Sequence, residues 1–229
     1  MIDKLCPLLL SGSNSVRSQA LKLFQCLPDG DIRDRMDHLL RYARMGLTHI
    51  SKDIKTFSLE FQSWLLRVAG DAVVSCAGGW RRTLDCLMVL LGWKDADLSK
   101  WSSGKTAYGA DVKAIARVMQ VLGELLRVGL EQLREATSGS GMATHFPLWH
   151  VELHQIPDKS NAYAYLNLFG PPQDDDHIML EDRGSRLHVF EDYRSSITAG
   201  IEAVKKEGGE LGRAAGFLTK ALVYTQETI

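Results

Sequence analysis

The densest group of chemistry-bearing side chains in this 229-residue sequence is His150-Val151-Glu152-Leu153-His154. Imidazole and carboxylate ligate zinc or iron, so the group points first to metal-assisted hydrolysis. Its spacing argues otherwise. A hydrolytic zinc helix carries His-Glu-x-x-His, with both imidazoles on one face, whereas here the glutamate lies midway and Pro157 follows three residues after His154. A loop with incidental histidines is the plainer reading. A helical metal-dependent hydrolase built on His150, Glu152 and His154 stands as the alternative function. Ser103-Gly104-Lys105-Thr106 has the tail of a phosphate-binding loop, in which backbone N–H groups cradle phosphates and the lysine reaches the outer ones. That loop needs a glycine five positions before Gly104, where this sequence has Ser99, and no strand pattern precedes it. Neither a Gly-x-Ser-x-Gly elbow nor a Gly-x-Gly-x-x-Gly turn occurs. The four cysteines, Cys6, Cys26, Cys76 and Cys86, form no Cys-x-x-Cys pair and sit among apolar neighbours, as reduced thiols packed like small hydrophobes. No catalytic residue, metal or cofactor is expected.

Recognition residues are the remaining candidates. Trp101 lies in a polar stretch, and Phe146 and Trp149 lie in a proline-bearing one, so no helical periodicity places these aromatics inside; large aromatics of this kind anchor interfaces. Trp80 stands at the start of a leucine-rich helix and reads as core. The acidic groups Asp174-Asp175-Asp176 and Glu181-Asp182 read as solvated loop. Direct RNA binding would require a basic stripe. Arg33, Arg35, Arg41 and Arg44 make the one arginine-rich helix, but Asp31, Asp34 and Asp37 interleave with them. With 27 basic and 28 acidic residues, the net charge of -1 gives no whole-chain attraction to nucleic acid or an anionic membrane. Apolar runs such as Leu87 to Leu91 fall far short of the roughly 20 residues that cross a bilayer, and the expectation is a soluble intracellular protein.

The elements that position these residues are helices. Periodicity near 3.6 recurs in segment after segment, and no stretch holds the alternation of a strand. Between Ser51 and Ala69, Ile54, Phe57, Phe61, Trp64, Leu65 and Val68 make one stripe, with Ser51 as N-cap and Gly70 as stop. From Ala110 to about Glu135 a second stripe (Val112, Ile115, Met119, Leu122, Leu126) is widened by Val118, Val121, Leu125 and Val128, which predicts a helix covered on two sides. A third runs from Leu187 to Val204, is broken at Gly208-Gly209, and is followed by a last helix with Leu211, Ala215, Leu218 and Leu222. Shorter helices are expected at about 3–10, 14–26, 33–47 and 79–91.

Ser13-Asn14-Ser15-Val16-Arg17 recurs 38 positions later as Ser51-Lys52-Asp53-Ile54-Lys55, with the polar residue capping, the β-branched one packing and the cation wet. Asp111-Val112-Lys113 is a fainter third copy. A helix-pair period near 40 is that of HEAT and armadillo arrays, in which each pair buries its apolar face by stacking on the next. The expected architecture is an all-α, HEAT/armadillo-like α-solenoid over 1–136, an extended Pro/Gly/acidic strap over 137–185, and a C-terminal helical hairpin over 186–229 packed on the same solenoid.

The ordered series Gly46-Leu47-Thr48-His49-Ile50-Ser51-Lys52-Asp53-Ile54, Gly70-Asp71-Ala72-Val73-Val74, Trp80-Arg81-Arg82-Thr83-Leu84 and Leu90-Leu91-Gly92-Trp93 resembles the armadillo-like pre-ribosomal-RNA-processing family called Ipi-one in fungi, related to testis-expressed protein ten. Leu166-Asn167-Leu168-Phe169 and the run Ile201 to Gly209 resemble its later segments. The resemblance implies a nuclear, non-catalytic scaffold working with a Rix-one-like subunit and a WD-repeat subunit on precursors of the large ribosomal subunit. It further implies a part in removing the second internal transcribed spacer and in particle remodelling with the ATPase midasin. Members of the family generally carry a lysine-rich leader and more helix ahead of the matched region, so this chain is expected to be a truncated form.

Overall fold

In the computed structural model, which describes residues 2–93, 111–131 and 179–223, every regular element is helical. In chain order these are α1 (Ile2–Leu5), a 3-10 turn (Cys6–Leu10), α2 (Asn14–Gln25), α3 (Asp29–Asp34), α4 (Met36–Leu47), α5 (Lys52–Ser75), α6 (Gly79–Leu91), α7 (Val112–Leu130), α8 (Arg183–Lys205) and α9 (Gly209–Val223). The all-α expectation holds across these residues. They fall within one compact unit, Met1–Glu131 with Asp176–Ile229.

The local chemistry departs from expectation at several ends. Arg35 leaves helical geometry at φ -116° and ψ 20°, so the helix expected over 33–47 is two, α3 and α4. Helix α5 does not stop at Gly70. It kinks at Ala69, at φ -146° and ψ 49°, and continues to Ser75. Gly70 serves close packing instead: a Cβ there would lie 2.8 Å from Cγ1 of Val128 on α7. Ser13 and Ser51 occupy N-cap positions, but neither hydroxyl makes a cap bond. The working caps are aspartates. Asp111 accepts the Ala114 N–H at 3.2 Å, and Asp182 accepts the Ser185 N–H at 2.6 Å. Negative charge near a helix N-terminus is favourable, and both carboxyls sit below the usual carboxylate range. For Asp111 the chief cause is the Lys52 ammonium, and for Asp182 the Ser185 hydrogen bonds.

The repeat register is corrected in its first copy. Arg17, expected in solvent, is 1% exposed, while Val16, expected to pack, is 39% exposed. The guanidinium donates to the Ser11 carbonyl and to Asn14 Oδ1, and its central carbon lies 5.5 Å from the Phe57 ring centroid. Hydrogen bonds and an aromatic face replace water around a delocalised, weakly hydrated cation, which lysine would not tolerate as well. In the second copy the β-branched residue packs as read, with Ile54 buried, but Ser51 makes no cap bond and Lys55 is half-buried.

The core follows the stripes. Phe24, Phe61 and Trp64 form an aromatic cluster with centroids 5.6 to 6.3 Å apart. Val118, Met119, Val121, Leu122, Leu125 and Leu126 of α7 are all fully buried. That all-round burial is possible because α5, α6, α8 and α9 pack around α7. Helix α4 packs on α5, α5 on α7, and α7 on α9. Helices α8 and α9 are antiparallel neighbours joined through Gly208 and Gly209, whose φ values of 71° and 62° favour glycine and break the helix where the sequence placed the break. The four cysteines are free; Cys6 is buried and Cys76 and Cys86 half-buried, but Cys26 is exposed, against the expectation of four packed thiols.

Candidate partner-binding surface

The aromatics expected to hold partners, Trp101, Phe146 and Trp149, lie outside the described residues, as do His150, Glu152, His154, the Ser103–Thr106 run and the Asp174–Asp176 cluster. Among the described residues no group of three His, Cys, Asp or Glu side chains is placed to hold a metal ion. Three tryptophans are described: Trp64 lies in the aromatic cluster with Phe24 and Phe61, and the other two are engaged internally by α8. Trp80 is 1% exposed, and its indole N–H donates to the Arg186 carbonyl at 3.0 Å. Trp93 is half-buried against Gly200 of α8.

A cluster of hydrogen bonds fixes α8 on the carboxyl end of α7. The last carbonyls of a helix have no intrahelical donor and must be satisfied by other groups. Arg186 Nε donates to the Gly129 carbonyl at 2.8 Å, and Arg183 Nε to the Leu130 carbonyl at 2.6 Å. Arg186 Nη1 also donates to the carbonyls of Leu180 and Glu181, each at 2.7 Å. Tyr193 Oη donates to Asp85 Oδ1 on α6 at 2.8 Å. Gly129 makes room for this arrangement, since a Cβ there would fall 2.2 Å from Cζ3 of Trp80.

This clasp carries α9 along α7 and leaves a groove of about 380 Å³ lined by Gln120 and Glu124 of α7 and by Glu210, Arg213, Ala214 and Phe217 of α9. Phe217 is 38% exposed, and its ring edge rests on Gly123, where a Cβ would lie 2.5 Å from Cε1. Glu124 Oε2 accepts the Ser63 hydroxyl at 2.7 Å, and Gln120 Oε1 accepts from Arg117 Nη1 at 3.3 Å. Sequence reading did not single out these residues. The signal was present in part, because 210, 213 and 217 are spaced by three and four and share a helix face, as do 120 and 124. Nothing local says that the two faces meet.

A second polar region lies between α4 and α6. Arg44 Nη1 donates to the Gly78 carbonyl at 2.9 Å, and burial pushes this guanidinium below the ordinary arginine range, helped by the nearby Arg82 and Arg41. Asp37 and Asp85 lie beside the flanking thiols, so the region carries both signs of charge, in keeping with the aspartates interleaved in the sequence.

Among the described residues, fold and surface together define a helical protein of helices packed on one another, with an open groove of mixed charge. Comparison gives the family. The family described as "Rix1 complex component involved in 60S ribosome maturation" matches residues 30–126. A "Pre-rRNA-processing protein ipi1" of Sclerotinia sclerotiorum is 42% identical over 97% of this chain and 67% of its own length. Relatives with the same description from Aspergillus oryzae and Chaetomium thermophilum are 40% and 41% identical, over 97% and 100% of this chain and 63% and 68% of their own lengths. The chain therefore belongs to the Ipi1 family of pre-rRNA-processing proteins, as the ordered motif series implied, and it spans about two thirds of the relatives' length.

Proposed function

We propose that this chain is a non-catalytic scaffold subunit of a Rix-type complex, acting in pre-rRNA processing and maturation of the large ribosomal subunit. The observation that carries the reading is the 42% identity over nearly the whole chain to a relative named for pre-rRNA processing. The helix-on-helix packing supports it, because stacked helices of the HEAT/armadillo kind present extended faces to partners. In this reading the order α4, α5, α7, α9 is the stacking axis of a short solenoid, and α8–α9 is its closing hairpin. The Rix-one-like subunit and the WD-repeat subunit are the direct partners, held in part by Trp101, Phe146 and Trp149. Removal of the second internal transcribed spacer and remodelling with midasin belong to the complex as a whole, in the nucleus.

Affinity purification of the tagged chain from nuclear extract, with quantitative protein identification, tests this. Recovery of the Rix-one-like and WD-repeat subunits in stoichiometric amount is the expected result; their absence, with the chain folded, overturns it. Trp101→Ala or Trp149→Ala is expected to weaken capture of the Rix-one-like subunit by about 2 kcal/mol, some thirtyfold, with an unchanged melting temperature. Unaltered capture by both variants removes the assignment of these residues.

A further inference from the structure

Three places in the described residues bear on recognition: the mixed-charge region around Arg44, the scattered exposed apolar side chains, and the α7–α9 groove. The Arg44 region is internally neutralised, and nothing on the surface shows what covers the apolar side chains. The groove differs because carboxylates and an exposed aromatic ring line one volume, with Glu124 and Gln120 each engaged through one oxygen by Ser63 and Arg117. Among the described residues, neither Glu210 nor Arg213 has an ion pair and no cation lies over the Phe217 ring.

We propose that the groove between α7 and α9 is a receptor for an arginine side chain presented by a protein partner, which stacks on Phe217 and is held by Glu210 and Glu124. The inference rests on the scaffold reading for the existence of a partner and adds the chemistry by which one is recognised.

Four observations support it. The groove's volume of about 380 Å³ lies at the small end of ligand sites, which run to about 1,000 Å³, so one long side chain fits within it, and its two carboxylates disfavour a phosphate. Its lining supplies the Glu210 carboxylate and, beyond their bonds to Ser63 and Arg117, the remaining lone pairs of Glu124 and Gln120, which can accept from a five-donor guanidinium. Phe217 supplies the third component. A ring face attracts a guanidinium, and this ring is pinned at its edge by Gly123 and is 38% exposed, so it is preorganised before a ligand arrives. The fold also uses the same combination on its own arginines. Arg194 pairs with Glu191 at 2.7 Å while its central carbon lies 5.8 Å from the Phe190 centroid, and Arg17 stacks on Phe57. In the α7–α9 groove a carboxylate and a ring again line one volume, and among the described residues no cation is stacked on the ring. Arg213 at the rim then acts as a filter: it repels a cation that enters alone and pairs with an acidic residue or carbonyl beside the inserted arginine. The preferred ligand is thus an arginine flanked by an acceptor, not a polybasic run.

The test uses the full chain, isotopically labelled, with acetyl-Gly-Arg-Gly-amide as probe and the corresponding lysine and glutamate peptides as controls. Amide shifts on titration are expected at Gly123, Glu124 and Arg213 to Phe217, saturating with the arginine peptide, at least threefold weaker with lysine and absent with glutamate. Glu210→Gln and Phe217→Leu should each weaken the arginine peptide at least fivefold while the rest of the spectrum stays in place, and Arg213→Ala should tighten it. The proposal is overturned if shifts do not saturate, if they fall elsewhere, if lysine or glutamate binds as well as arginine, or if the two weakening variants bind normally. Glu210→Gln applied to the affinity purification separates the two readings. Partner recovery without any dependence on the groove retains the scaffold and discards this site.

Discussion

At the residue scale, the side chains that decide this structure are those whose neighbours come from distant positions. Gly129 is one. The Trp80 ring occupies the space of its absent side chain, so Gly129→Ala is expected to cost about 2–3 kcal/mol in a urea titration, as overpacked cores do. A loss below about 0.5 kcal/mol would show that the ring moves aside freely. Trp64, 7% exposed within the Phe24–Phe61 cluster, is expected to cost about 3–5 kcal/mol on truncation to alanine. The thiols offer a pH test. Burial pushes Cys6, Cys76 and Cys86 from the ordinary 9.0 up to about 11, so the folded chain holds these protons more tightly than the unfolded one. Their contribution to stability is complete below pH 9 and is lost as pH rises from 9 to 11. Urea midpoints should fall across that window, and at pH 8 a thiol reagent should modify exposed Cys26 first and buried Cys6 last. Apolar type predicted burial at Ile54, Leu122 and Ile197, which are at most 3% exposed, but not at Val16 or at Val112 at the start of α7, which are exposed. It failed at Arg17, because a cation's solvation by Ser11, Asn14 and Phe57 is a tertiary fact with no trace in the local pattern.

At the element scale, helices were legible and their ends were less so. Apolar spacing located α5, α7, α8 and α9, since a stripe is a property of one segment. The stop assigned to Gly70 failed because a glycine at a helix crossing and a glycine at a helix end look alike until the neighbouring helix is known. The same applies to the clasp on α7: Arg183 and Arg186 are unremarkable surface residues in sequence, yet they satisfy the carbonyls that end another helix. Arg186→Ala is expected to cost about 2–3 kcal/mol through the loss of charge-assisted bonds to three carbonyls. Its signature is local. Amide exchange should accelerate in α8 and α9 more than in α4, and uniform acceleration would show that the hairpin and the N-terminal helices open as one unit.

At the scale of the whole molecule, the all-α class was readable from periodicity alone, and a circular dichroism spectrum is expected to show well over half helix, against about one third for an average domain. The family was readable from the ordered motifs. The candidate groove was not, because Phe217 and Gly123 are neighbours only after two segments far apart in the chain have docked. That separation bears on how the protein is made. Helix α7 ends at Leu130, and the helix that covers its outer side is complete only at Val223, roughly 90 residues later. At about 5–20 residues per second, a ribosome synthesising this chain leaves one side of α7 uncovered for roughly 5–20 s. During that interval the side of α7 that bears Gly123, which later receives Phe217, lacks its covering helix, and apolar surface of this kind on a nascent chain is what chaperones bind.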